Sequence, residues 1–298
     1  MSRSSSPAPA DGDRVYVLGA GRMGLALGEA LLGAGTASSL CYASRSAVPP
    51  QTPLFSDPRV SYQEGVTAPL PDTTVVLLAV PDDGLRSAAR ALSAFPRPRG
   101  CVALHLSGAL TASVLEPLRE MGYPTGSLHP LQTVADPAAG ASRLRGCAFA
   151  IGGDAEAMEA ARRLVGRLAD QVLVVPPHVR PAYHAAAVIA SNYLVALLDL
   201  AARQLDGLGL DERERVRALL PLVRGTLDNV EELGLARALT GPIARGDVDT
   251  VRLHLTRLSA EDRPVYCALG REALRVALRS GLDADRAHEI AALLSEIP

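Results

Sequence analysis

The chain has 298 residues, enough for two hydrophobic cores, and its 32 acidic and 30 basic side chains leave it near neutrality. With no long run of either sign, nothing calls for a nucleic acid or an anionic membrane as partner, and a small-molecule substrate is the expectation. Every one of the basic side chains is arginine, which excludes Schiff-base chemistry, a P-loop lysine and a lysine general acid, and leaves proton transfer to His, a carboxylate, Tyr, Cys or water.

Residues 1–13 (MSRSSSPAPADGD) are polar and lack an apolar h-region, so they read as a disordered tail rather than a signal peptide. The apolar run 14–18 (RVYVL) predicts a strand. It ends in Gly19-Ala20-Gly21-Arg22-Met23-Gly24, and a helical pattern through Leu25, Leu27, Ala30 and Leu31 follows before a second strand near 40–43. A G-x-G-x-x-G turn between a strand and a helix is the setting of a dinucleotide site. Gly19 allows the tight turn, Gly21 the close approach of a pyrophosphate, and Gly24 the packing of helix on strand, while the helix N-terminus offers free amides. About 20 residues on, where an NAD site carries an acid, the chain has Ser44-Arg45-Ser46. An arginine between hydroxyls suits a 2′-phosphate, so the expected cofactor is NADP(H).

Further strands are predicted at 74–80, 101–106, about 125–129, 147–151 and 171–175, with a helix over 154–169. The fold class is therefore α/β: an N-terminal doubly wound Rossmann domain over 14–177, closed by Pro176-Pro177. Ala79, Val80 and Pro81, at the end of the strand over 74–80, are expected to line the cofactor. Beyond 177 only helices are predicted, over 180–206, 211–232, 247–258, 261–280 and 284–295, giving an all-α domain over 178–298 for substrate and dimerisation. The segment 181–206 is apolar around most of its circumference, which predicts burial within a domain or against a second subunit. No apolar stretch reads as long and uninterrupted enough for a membrane span. Four scattered cysteines, without CxxC or a histidine at ligand spacing, predict reduced thiols in a cytoplasmic protein and no metal site.

Four blocks, HLSGAL (105–110), GSLHPLQT (126–133), YHAAAVIASNYLVAL (183–197) and ALTGPIARGDVDTVRLHL (238–255), resemble the Rossmann-like/DUF2520 family of NADP oxidoreductases. The resemblance covers the chain from about residue 14 and implies a place beside ketopantoate reductases, pyrroline-5-carboxylate reductases and prephenate dehydrogenases, in the 6-phosphogluconate-dehydrogenase-like superfamily. It also implies a homodimer formed through the C-terminal helices. The Lys-x-x-x-Asn pair of many ketopantoate reductases has no counterpart, because Asn192 has Val188 four residues earlier. His129-Pro130 and Ser107 are similar in kind to the His-Pro and serine of prephenate dehydrogenases.

Candidate chemistry follows from residue type and place. His129, fixed before Pro130, and His184, one turn into the apolar helix, are candidate proton donors. Ser107, after a strand, and Asn192 are candidates for orienting a reacting carbonyl, and Ser191 and Asn192 would share a polar stripe with His184. Each has a plainer alternative: a helix cap for Ser107, a hydrogen-bonded core residue for His184. Tyr183 and Tyr193 read as packing residues, and His105 as structural. Thr240-Gly241 and Arg245 form a turn before a helix capped by Asp247, where amides and a guanidinium suit a substrate carboxylate; His254 is a weaker candidate. The expected activity is NADP(H)-dependent reduction of a small carboxylate-bearing carbonyl compound, a 2-keto acid such as 2-dehydropantoate first. The alternatives are an imine reductase of the pyrroline-carboxylate type and a non-catalytic NADP(H)-binding sensor or scaffold.

Overall fold

The computed structural model describes residues 12–295. Strand β1 (Asp13–Leu18) alternates between two core layers: Val15 and Val17 enter one, Tyr16 and Leu18 the other. Strand β4 (Val75–Leu78) does the same, with Val75 and Leu77 on one face and Val76 and Leu78 on the other. A strand covered on both faces needs continuous apolar sequence, and this is why these two were legible.

The other strands are β2 (Ala37–Ser44), β3 (Val60–Glu64), β5 (Val102–His105), β6 (Thr125–Pro130), β7 (Ala148–Gly153) and β8 (Gln171–Val174). The sheet order is β3-β2-β1-β4-β5-β6-β7-β8, with every pairing parallel except the antiparallel β6–β7 pair. The order reverses between β1 and β4, and such a switch point opens a crevice at the strands' carboxyl ends. Helices α1 (Arg22–Ala34), α2 (Leu85–Leu92), α3 (Glu116–Arg119), α4 (Pro137–Arg143) and α5 (Ala155–Val165) connect the strands. Strand β3 is missing from the sequence reading: it is an edge strand of sequence VSYQE, half-exposed, and carries no apolar run.

The chain divides into two compact units at Ser191/Asn192, whereas Pro176-Pro177 suggests a boundary near 177. Helix α6 (Arg180–Ala190) goes with the sheet unit, because its first turn is anchored there by a buried side chain, described below. Strand β1 opens at Asp13, inside the stretch read as tail; residues 1–11 lie outside the described residues.

The second unit holds α7 (Asn192–Arg203), α8 (Glu212–Ala238), α9 (Pro242–Arg245), α10 (Val248–Arg257), α11 (Arg263–Arg279) and α12 (Ala284–Ser295). Its core gathers Ile243, Val251, Cys267, Leu274, Ile290 and Leu294. Helix α8 starts with a capping box between Asp211 and Glu214, and turns sharply at Gly234, where φ is 74°.

The single helix expected over 180–206 is two, broken at Ser191 (φ −118°, ψ −69°). Together they form a stretch of 24 residues long and apolar enough by composition to cross a membrane, against the expectation that none exists. Arg180 stands at its head and Asp199 within it. The single chain does not bury it: Ile189, Tyr193 and Val195 are all exposed, as are Leu222, Leu227 and Leu235 of α8, so of the two burials expected the one within a domain is absent and the one against a second subunit is left.

Candidate active site

A cavity of about 810 Å³ opens at the switch point, against the carboxyl ends of β1, β2 and β4. Gly19, Ala20 and Gly21 form its floor, Ser44 and Arg45 one side, and Ala79, Val80 and Pro81 the other. Gly19 has φ +113°, and a Cβ there would lie 2.5 Å from the Ala79 carbonyl oxygen, so only glycine fits. Gly21 caps α1 without a side-chain hydrogen bond, and nothing lies within 4 Å of where its Cβ would be. Open space in front of uncapped helix amides suits a phosphate.

Gly24 is buried behind this floor. A Cβ on it would meet the Ala79 methyl and the Gly19 oxygen, each at 2.8 Å, which is the helix-on-strand packing expected of it. Arg22, Met23 and Ser46, expected at the cofactor, do not line the cavity. Met23 packs on the core, Arg22 starts α1 facing solvent, and the Ser46 hydroxyl closes a turn onto the Val48 carbonyl at 2.8 Å. Arg45 takes part in none of the ion pairs among the described residues. Glu64 stands opposite Ser44 in the β2–β3 register but is not in the lining. Glycine turn and free helix amides together fit a nicotinamide dinucleotide, with Arg45 beside them.

Within the same unit, β6 and the first turns of α6 bring three aromatic or imidazole rings together. Arg180, Tyr183 and His184 share one face of α6, being three and four residues apart. Tyr183 Oη lies 2.7 Å from His129 Nδ1, and the two rings are perpendicular. His129 and His184 have ring centroids 6.2 Å apart. Gly108 makes their approach possible: a Cβ on it would lie 2.7 Å from His184 Nδ1 and 2.8 Å from His129 Nε2. His184 Nδ1 is buried without a hydrogen-bond partner among the described residues, which leaves it for a bound molecule or water.

Burial, with the neighbouring His184 and Arg180 charges, pushes His129 down to about 4, so its ring is neutral at pH 7. Burial raises Tyr183 to about 12, and it too stays neutral. His105 is fully buried; its Nδ1 accepts from the Ser107 amide at 3.2 Å, so the proton sits on Nε2, 3.2 Å from the Thr111 carbonyl. Burial holds His105 near 4 as well. This is the structural part predicted for it.

Ser107 is engaged elsewhere than at a reacting carbonyl. Its hydroxyl donates to Asp82 at 2.8 Å and accepts from the amides of Ala109 (3.2 Å) and Leu110 (3.0 Å). It caps the turn over 107–110, and not the helical turn near 111. Arg180, absent from the sequence reading, is 1% exposed and donates to the carbonyls of Ser107 (3.2 Å) and Gly108 (3.4 Å) and to the Ser127 hydroxyl.

Ser191 ends α6 in the break described above, so the polar stripe projected from His184 through Ser191 to Asn192 does not continue as one helix. Asn192, Thr240, Gly241 and Arg245 belong to the second unit. There Gly241 caps α9 with φ 92°, Arg245 is exposed at its end, and Asp247 caps α10 by accepting from the Thr250 amide at 3.1 Å, as predicted. His254 Nδ1 pairs with Tyr266 Oη at 2.8 Å.

Residues 5–130 match the Rossmann-like domain model, and residues 147–273 match the domain of unknown function DUF2520. Several solved structures share the fold. Protein TM1727 from Thermotoga maritima is 24% identical, with 94% of this chain and 98% of that one covered and a TM-score of 0.63. BF3122 from Bacteroides fragilis, a candidate NADP oxidoreductase, is 21% identical over 91% and 98%, with a TM-score of 0.64. The pyrroline carboxylate reductase of Plasmodium falciparum, solved with NADP bound, is 12% identical over 96% and 99%, with a TM-score of 0.61. No curated protein matches the sequence.

Proposed function

We propose that this chain, which joins a Rossmann-like domain to a DUF2520 domain, is an NADP(H)-dependent oxidoreductase acting on a small carbon–heteroatom double bond. The observation that carries this reading is the switch-point cavity with an unpaired Arg45 on its wall. The Gly19–Gly21 turn and the α1 amides hold the pyrophosphate, and Arg45 with Ser44 takes the 2′-phosphate. Bound nicotinamide supplies the hydride. His129, oriented by Tyr183, and His184 hold the reacting atom in place by hydrogen bonds.

The neutral state of His129 bears on the substrate. With a pKa near 4 and Tyr183 as its partner in place of a carboxylate, His129 is a neutral imidazole at pH 7 and has no imidazolium proton to give a ketone's developing alkoxide. A protonated imine brings its own proton. This favours a carboxylate-bearing cyclic imine of the pyrroline-carboxylate type over a 2-keto acid such as 2-dehydropantoate. The exposed apolar residues of α6, α7 and α8 support assembly as a homodimer through these helices, which light scattering at micromolar concentration checks.

A fluorescence titration with NADPH and NADH, on the wild type and on Arg45→Asp, tests the cofactor. The expected outcome is a clear NADPH preference that the substitution abolishes; no binding of either nucleotide defeats the oxidoreductase reading. Turnover of pyrroline carboxylate without turnover of 2-dehydropantoate supports the imine, and the reverse supports the keto acid. Tight NADPH binding without turnover on a broad panel favours a sensor or scaffold.

A further inference from the structure

Arg180 poses a physical problem that nothing described so far resolves. A guanidinium is almost never buried without a carboxylate, because its desolvation costs several kcal/mol. Arg180 is 1% exposed and joins none of the ion pairs among the described residues. An uncharged side chain of similar length would fill the same space at lower cost. What Arg180 has instead of a counter-ion is three neutral acceptors: the carbonyls of Ser107 and Gly108, and the hydroxyl of Ser127. Ser107 and Gly108 follow the end of β5, Ser127 lies within β6, and Gly108 is the glycine on which the two imidazoles close.

We propose that Arg180 is the positioning residue of the histidine pair: it grips the Ser107 and Gly108 carbonyls from the buried side and holds Gly108 where His129 Nε2 and His184 Nδ1 converge. The inference rests on the pair being the reacting site.

The same side chain carries the tyrosine and histidine of the cluster. Tyr183 and His184 sit three and four residues further along α6, so pinning the helix's first residue fixes the phase of both. Gly152 completes the socket: a Cβ there would come within 3.2 Å of Arg180 Nη2. The charge has a second effect. The groups facing His129 are Tyr183, His184 and Arg180 on α6 and His105 on β5, and none of them is a carboxylate. Burial above all, and then the positive neighbours with no carboxylate to offset them, holds His129 in its neutral form; Arg180 is the smaller part of this.

The test uses nuclear magnetic resonance titration of the His129 imidazole, identified by its loss in His129→Gln, alongside the Gly108 amide resonance. In Arg180→Gln the Gly108 amide is expected to shift and the His129 midpoint to rise. In Arg180→Lys, which keeps the charge but not the planar fork, the midpoint should stay low while the Gly108 amide still shifts and turnover falls about 10-fold at unchanged KM for NADPH. If Arg180→Gln does not fold, Arg180→Lys carries the test alone. A folded Arg180→Gln with an unmoved Gly108 amide, or an Arg180→Lys with wild-type turnover and an unmoved Gly108 amide, overturns the proposal. Both resonance readouts stand without catalysis, so absence of turnover in the wild type defeats the functional reading and leaves the positioning role separately decided.

Discussion

The Tyr183 hydroxyl stands 2.7 Å from His129 Nδ1, with the two rings at 89°. The pair fixes the imidazole's orientation and directs Nε2 at Gly108. Tyr183→Phe removes this bond while keeping the ring's packing. Turnover is expected to fall about 10-fold, the kinetic equivalent of one neutral hydrogen bond, with NADPH affinity unchanged. Steady-state kinetics beside a nucleotide titration decides it, and unaltered kcat would reduce Tyr183 to a packing residue.

Two glycines of the same turn should behave oppositely. Gly19→Ala forces a positive-φ position and a 2.5 Å approach to the Ala79 oxygen, so the melting temperature should drop. Gly21→Ala meets nothing within 4 Å in the folded chain, yet its methyl enters the cavity. Its stability should match the wild type while NADPH affinity falls about 10-fold or more. Equal affinity for Gly21→Ala would remove the pyrophosphate from this floor.

Gly108→Ala places a methyl 2.7 Å from His184 Nδ1 and 2.8 Å from His129 Nε2. Both rings must retreat, and turnover should fall about 100-fold while the dinucleotide cleft is left intact. Retained NADPH binding with lost turnover is the expected signature. Full activity would mean that the two rings do not act together.

Acid should weaken the fold through His105. Its pKa is lowered from 6.5 to about 4 by burial, so the unfolded chain takes up the proton first as the pH falls below 6.5. The neutral ring's contribution is complete above that value and is lost progressively toward 4, for a total of about 3 kcal/mol. His129, lowered to about 4 as well, steepens the same window. Thermal melts between about pH 7 and about pH 4.5 should show a falling midpoint, flattened in His105→Gln. A midpoint independent of pH across that range would contradict the neutral buried ring.

What the sequence by itself determined was local or periodic. The glycine turn, the two-faced strands β1 and β4 and the Asp247 cap are each written within a few residues, because strand alternation, turn conformation and helix capping depend on near neighbours. Arg45 was legible for the same reason, as a residue at a fixed distance past the glycine turn. Tertiary structure alone decided the rest. His129 and His184 meet because α6 returns to the end of β6, a contact between residues far apart in the chain that no spacing announces. Ser107 loses its freedom only because Asp82, from the loop after the neighbouring strand β4, accepts its hydroxyl hydrogen bond. Edge strand β3 forms by pairing with β2 and not by its own pattern. Arg180 is the sharpest case: a charged head at a helix start reads as solvated, and the cost of its burial is offset only where two distant strands and their loops supply the oxygens that surround it.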